Sequence, residues 1–500
     1  MITYHVQMTR FFHLYGLTKG TALVSAQLGN VSSWFSLPAA FEDILGVYSA
    51  FTVGSFTIFL SFFQLILSVI HIRKDHHQIF LFSYFTLSVP YLLIQVQPTS
   101  VEAALNIVTG FAFFHATQYL GDIADGKDDE RTPIASIKSS HFWIAAILAA
   151  SSLSLKLTGL PIFLLSAYMT LSHIHALLKR NFHFYIILIF FIFTAPRIGA
   201  SYIASGCPLY PSSLFHLSTP WFVGTEFSEK LVKYIITHAI WDSEYAPPTK
   251  SFIQGVAAWS QTHGGQTVIY LLLTTATTSF ASAFLLRKSF WPVFSKYKIL
   301  IFIQLIGLSY ILSIAPNSRF TPPYITAIFS TFLTFLAQKN LSIALSVIMI
   351  SFSLSELALV GAKSGLMYAA LFALLIAYSR FASEARSNLA LVIGCSVRVI
   401  AAVLYFSPFS FILETSRHPL LMPNVSSFEK NFTTRSINGI TYYIPENSGG
   451  CGYSPLPCVA RNRLHFEIPL ENIGLLDPSK GVAGGFLRLP DNQSPTLHKE

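Results

Sequence analysis

The sequence predicts an all-α polytopic membrane protein, a helical bundle with about twelve transmembrane helices and a small extracytoplasmic β-rich cap near its C-terminus. Three observations predict it. Of 500 residues, 52% are hydrophobic and only 11% charged, and the mean hydropathy is +0.55. Soluble domains carry roughly 25% charged residues, so the polar surface for several water-exposed domains is lacking. The 45 Phe and 22 Tyr exclude a disordered chain. The net charge of +9 marks membrane topology in so apolar a chain, and no nucleic-acid partner is expected.

A crossing helix needs about 20 mostly apolar residues. Such stretches run near Ala50 to Ile70, Ile79 to Gln95, Val101 to Leu120, His141 to Leu155, Leu160 to Leu178 and Phe182 to Ala195. They continue in the second half near Thr267 to Leu286, Ile299 to Ala315, Thr321 to Ala337, Leu341 to Val360, Gly365 to Tyr378 and Asn388 to Phe406. The loops with Arg73 and Lys74, Lys179 and Arg180, Arg287 to Lys298, and Arg380 to Arg386 fall on one side of this count, as cytoplasmic loops should. The remaining polar mass then lies outside. It comprises residues 1–49, read as two short interfacial helices along the membrane, a long 196–266 loop interrupting the 50–406 bundle, and a 407–500 tail.

The tail changes character. Its NGITYYIPENSGGCGYSPLPC run alternates short β-like stretches with Gly and Pro turns, hence the cap. In an oxidising compartment Cys451 and Cys458 would form a disulfide closing that turn; otherwise they are two free thiols.

Soluble-enzyme motifs are absent: there is no P-loop, G-x-S-x-G elbow, H-E-x-x-H or clustered C-x-x-C. The chemical signals are cations on the outer face. Lys156 ends the fourth span, Arg197 follows Pro196, and Arg319 sits in the Pro316 to Phe320 break. Arg at an outer helix end contradicts the positive-inside trend. A phosphate-bearing ligand explains it, because a guanidinium fork binds phosphate oxygens bidentately; the alternative is snorkelling to headgroups. Glu356 is an acid inside a span. Glu42 and Asp43 are the first carboxylates of the chain, and Tyr4 and His5 lie in the N-terminal segment.

Tyr4-His5-x-Gln7, Tyr15-Gly16 with Gly20, Asn30-x-Ser32-Ser33-Trp34-Phe35, Lys156-Leu157, Gly206-Cys207-Pro208-Leu209-Tyr210-Pro211, Ala315-Pro316-x-x-Arg319-Phe320, Pro455-Leu456-Pro457-Cys458 and Gly485-Phe486 together resemble a poorly characterised bacterial family of polytopic membrane proteins. That family looks like the GT-C superfamily of integral-membrane glycosyltransferases, which take a sugar from a polyprenyl-phosphate carrier. The resemblance spans nearly the whole chain. It implies an inner-membrane enzyme, outer-face transfer to an envelope glycan, lipid or protein acceptor, and no obligatory cofactor beyond a candidate divalent cation. It also implies a first helix and a catalytic Asp before the Tyr-His pair; both are expected upstream of Met1. On these residues the roles are Lys156, Arg197 and Arg319 on the phosphate, Tyr4, His5 and Tyr210 lining the cleft, and Glu42 or His5 as base. An O-antigen polymerase or ligase, a transporter or flippase, and a non-catalytic scaffold remain open alternatives.

Overall fold

Apolar runs punctuated by Gly, Pro and polar clusters fold as helices here, and two separate cores divide them between a bundle and a head. The computed structural model describes residues 3–46, 77–96, 101–124, 139–173, 183–241, 252–285, 290–314, 319–338, 431–446 and 466–490, with parts of 53–75, 316–317, 341–351 and 451–464. The helices used below are α1 (Thr3–Tyr15), α2 (Gln78–Val96), α3 (Val101–Ala124), α4 (Ser140–Leu155), α5 (Leu160–Ser172) and α6 (His183–Ser205). They continue with α7 (Thr225–Trp241), α8 (Phe252–Gln261), α9 (His263–Leu285), α10 (Phe290–Ile314) and α11 (Pro322–Ala337).

The bundle core joins α2, α3, α4, α5, α9, α10 and α11 through residues such as Phe80, Tyr84, Phe113, Ala145, Leu165, Val268, Ile311 and Leu333. At its centre is α11. Prolines at its first two positions suit the helix start, where no intrahelical N–H bond is needed, and all sixteen of its residues are buried. Its hydroxyls find partners inside the protein: Ser330 accepts from Ser83 at 2.8 Å and Thr331 from Gln304 at 2.9 Å.

The expectation of about twelve spans in a GT-C-like bundle is corrected here. Among the described residues two helices are long and apolar enough to cross a membrane, Gly264–Phe284 with 21 residues and Trp291–Ile314 with 24. They expose Phe280, Phe284, Trp291 and Phe302, as lipid-facing helices would. Two physical considerations separate apolar stretches from spans. Helices α4, α5 and α11 have 16, 13 and 16 residues, too short at about 1.5 Å per residue for a hydrocarbon core of about 30 Å. A helix enclosed by other helices is also as apolar as one enclosed by lipid, and hydropathy cannot distinguish them. The expected spans from 50 and from 341 fall only partly on described residues, and those from 365 and 388, with Glu356, lie outside them.

The long outer loop is corrected as well. Pro196 would ordinarily end a helix, since it removes one backbone bond and crowds the preceding turn. Helix α6 nevertheless runs on to Ser205, carrying Arg197 inside it. It stops at Gly206, whose φ of +78° favours glycine and whose N–H donates to Tyr202 O at 2.7 Å. Part of the remainder is helix as well, as α7 and α8.

The head gathers segments from both ends of the chain. Met8, Phe11 and Phe35 from the N-terminal segment, Cys207, Tyr210 and Phe227 from the 206–241 region, and Ile440, Tyr442, Ile473 and Phe486 from the tail share one core. The N-terminal segment is one 13-residue helix followed by short helical turns, of which those up to Phe35 are largely buried in this core while the last, Glu42–Leu45, has no buried residue. Strands β1 (Phe432–Ile437) and β2 (Ile440–Pro445) form an antiparallel hairpin turned by Asn438-Gly439, both at positive φ. Strands β3 (Ile473–Leu475) and β4 (Phe486–Arg488) make a second antiparallel pair. The tail is sewn into the head by its backbone: Phe486 N–H donates to Lys19 O at 2.9 Å and Arg488 N–H to Pro220 O at 2.8 Å. Gly20, at φ +72°, makes the first contact possible, because a Cβ there would lie 2.6 Å from Phe486 O.

Candidate functional site

Three turns meet where the head rests on the bundle. The first follows α4. Lys156 is extended, with φ −159° and ψ 149°, and its carbonyl accepts from Gly159 N–H at 2.9 Å. Gly159 is required there, since a Cβ would come within 2.5 Å of Ser152 O. Ser152 Oγ donates to Gly159 O at 3.0 Å, and Tyr324 OH to Thr158 O at 2.5 Å, fixing the turn to α11. The second turn precedes α11. Asn317 Oδ1 accepts from Arg319 N–H at 3.0 Å, and Asn317 O accepts from Phe320 and Thr321. The Lys156 ammonium lies 4.2 Å from the centre of the Phe320 ring, so the two turns touch.

The third element is the N-terminal segment. Ser33 Oγ donates to Ser154 Oγ at 2.9 Å, two residues before Lys156. The next aromatic but one, Phe35, packs its ring 5.5 Å from that of buried His5, and His5 lies 4.0 Å from the ring of Tyr4. Tyr4 is thereby set at the junction. Loss of water around its hydroxyl pushes its pKa well above the usual phenol range; Glu102 adds to this and Arg319 and Arg197 oppose it. Those three charges therefore all act on one hydroxyl.

Glu102 opens α3 and is buried, and its carboxylate is paired with the Lys156 ammonium. Arg197 is buried inside α6, and its Nε and Nη1 have no hydrogen-bond partner. Burial draws its pKa down to about 10, with Tyr4 opposing, so the guanidinium stays charged at neutral pH. Arg319 is exposed at the rim. The arrangement of Tyr4, Glu102, Lys156, Arg197 and Arg319 is a junction with excess positive charge, and a buried guanidinium with unused donors is poised to bind an anion.

The structure thus brings together Tyr4, Lys156, Arg197 and Arg319, with His5 in the wall behind Tyr4. Three other candidates read from the sequence lie elsewhere: Glu42, Tyr210 and the Cys451–Cys458 pair. Glu42 is engaged by Arg10 at 3.8 Å, and the charges that act on it are His13, Arg10 and Asp43, none of them in the cluster. Burial raises its pKa, and its Oε2 is sealed without a hydrogen-bond partner. Tyr210 is fully buried in the head core, its hydroxyl donating to Ala26 O at 2.7 Å and its ring filling the space a Cβ on Gly29 would need. Cys451 and Cys458 are joined by a disulfide. Within their loop, Ser454 O accepts from Arg10 Nη1 at 2.6 Å, and Cys458 O accepts from Gln7 Nε2 at 3.4 Å, so the loop braces α1 rather than the cations. No group of three or more His, Cys, Asp or Glu suited to a metal occurs among the described residues.

Glu102 is the site residue that sequence reasoning passed over. The signal was present: it is an acid within the expected Val101 to Leu120 span, as Glu356 is within Leu341 to Val360.

No curated protein and no solved structure matches the chain. One family model does, over residues 2–326, a range that contains all five residues of the cluster and stops short of the β-rich tail. The chain belongs to the family defined by that match, Domain of unknown function (DUF8201).

Proposed function

We propose that the protein is a membrane-associated transferase that takes a sugar from a lipid-phosphate carrier and passes it to an envelope glycan, lipid or protein acceptor. One observation carries the reading: Arg197, Arg319 and Glu102, drawn from separate segments, all act on the Tyr4 hydroxyl, and Lys156 is paired with Glu102. Departure of a lipid phosphate builds negative charge, which fixed cations at a water-poor junction stabilise. In the transfer, the bond from C1 of the sugar to the phosphate oxygen breaks, and its electron pair stays on that oxygen. The acceptor hydroxyl oxygen bonds to C1 and its proton passes to a carboxylate. Glu102 takes that role in place of Glu42, with Tyr4 and His5 lining the cleft. The two apolar helices anchor the chain in the inner membrane, and the Cys451–Cys458 disulfide favours a head on the extracytoplasmic face.

The test is the lipid-linked sugar pool of a strain deleted for this protein, measured by mass spectrometry of lipid extracts. A sugar-bearing carrier should accumulate, wild-type protein should clear it, and Arg319→Gln should not. An unchanged pool in the deletion strain sinks the reading.

A further inference from the structure

Between Lys250 and Arg287 the chain carries no Asp, Glu, Lys or Arg. That uncharged stretch is longer than a membrane crossing requires. Its second part, Gly264–Phe284, has 21 residues, and at about 1.5 Å per residue they span a hydrocarbon core of about 30 Å unaided. The first part is α8, which has no charged side chain although part of it lies at the surface. A surface helix in water ordinarily turns a charged or polar face outward, and α8 does not.

The structure sets α8 apart from the crossing helix. The chain breaks at Thr262, whose Oγ1 accepts from Gly265 N–H at 3.0 Å and donates to Trp259 O at 2.8 Å. Gly265 comes back against the last turn of α8 so closely that a Cβ there would collide with the Trp259 carbonyl. A straight helix forbids that contact, since each residue advances about 1.5 Å along the axis and residues six apart are well separated. Helix α8 therefore turns off the axis of α9 just where the crossing segment begins. Trp259 packs toward the bundle core, while Ile253, at 80% exposure, and Val256 face outward one turn apart. Exposed apolar side chains continue on α9 with Tyr270, Leu273, Phe280 and Phe284. Helix α8 also packs against α7, whose Phe227 and Leu231 belong to the head core.

We propose that α8 is an interfacial helix, with its Ile253 and Val256 face sunk about 5 to 10 Å into the headgroup and upper acyl region on the head's side of the membrane. A bilayer is the occupant because the uncharged stretch runs on from α8 directly into the helix that crosses it. Through α7, the helix holds the head against the headgroups. The inference goes beyond the transfer reading and stands or falls without it.

The test is depth-dependent quenching in vesicles of phosphatidylethanolamine and phosphatidylglycerol. A fluorescent amino acid is placed singly at Ile253, Val256, Leu273 or Lys233 of the full chain. Lipids with a nitroxide at the headgroup or deep in the acyl chain, and iodide in the water, serve as quenchers. Fluorescence at positions 253 and 256 should be lost mainly to the shallow nitroxide, at 273 mainly to the deep one, and at 233, on the charged face of α7, to iodide alone. Loss at 253 to iodide alone means that the face meets water, and loss to no quencher means that protein covers it. Loss there to the deep nitroxide makes α8 part of the span. Each of these three outcomes overturns the inference. If position 273 is quenched by neither lipid, α9 does not cross the bilayer and the inference falls with it.

Discussion

The Lys156 ammonium and the Glu102 carboxylate are joined across the junction, tying the turn after α4 to the first turn of α3. Both side chains are largely buried, at 27% and 10% exposure. Removing one partner leaves the other as an uncompensated charge, whereas removing both leaves neither. Lys156→Met and Glu102→Gln should each cost about 2 kcal/mol, and the double variant should cost clearly less than their sum. Unfolding of the four proteins in detergent measures the coupling; additive losses would mean that the pair does not interact.

Gly159 holds the turn that presents Lys156, and a Cβ there would collide with backbone, not with a movable side-chain tip. Gly159→Ala should therefore displace Lys156 without altering any charge. Affinity for a lipid phosphate such as farnesyl phosphate is expected to fall about ten-fold. Unchanged affinity in a folded variant would show that the position of Lys156 does not matter to the site.

The disulfide braces α1 through Ser454 and Cys458. Closing a loop this short stabilises by about 2 to 3 kcal/mol in the chain-entropy model. A Cys451→Ser/Cys458→Ser double variant should lose about that much, and limited proteolysis should cut the tail first. Equal resistance of the tail in both proteins would show that the backbone bonds to Lys19 and Pro220 hold it unaided.

Glu42 supplies a pH dependence of defined sign. Burial raises its folded-state pKa above the unfolded value, while His13 and Arg10 oppose. Its contribution to stability is thus full at pH below the unfolded carboxylate range and is lost as pH rises through the elevated folded value. Glu42→Gln should flatten this part of the stability profile and leave the protein relatively more stable than wild type at neutral pH. Melting temperatures of both proteins from pH 4 to pH 8 provide the comparison; parallel curves would dismiss Glu42 as the source.

The helical segments were legible because apolar runs and their Gly and Pro boundaries are local properties. The Asn438-Gly439 hairpin was legible for the same reason, through a turn that tolerates positive φ. The count of membrane spans was not, because α11 is apolar on every face for want of solvent, not for presence of lipid. The cations were visible singly, as Arg and Lys at the wrong ends of apolar runs. Glu42 stood out as the first carboxylate of the chain, but Arg10 engages it.

By itself, the sequence determined what could be read from neighbours along the chain: the apolar helices, the hairpin, and Lys156, Arg197 and Arg319 as charges in need of a reason. Only the tertiary structure decided that Arg197 and Arg319 act on Tyr4 together with Glu102, and that Lys156 pairs with Glu102. It also placed Tyr210 in the head core and carried Arg197 past Pro196 inside a helix. The physical reason is that hydropathy and helix signals act within a few turns, while charge pairing and burial depend on which distant segments share a core. The N-terminal segment, the 206–241 region and the tail meet only when the head is packed.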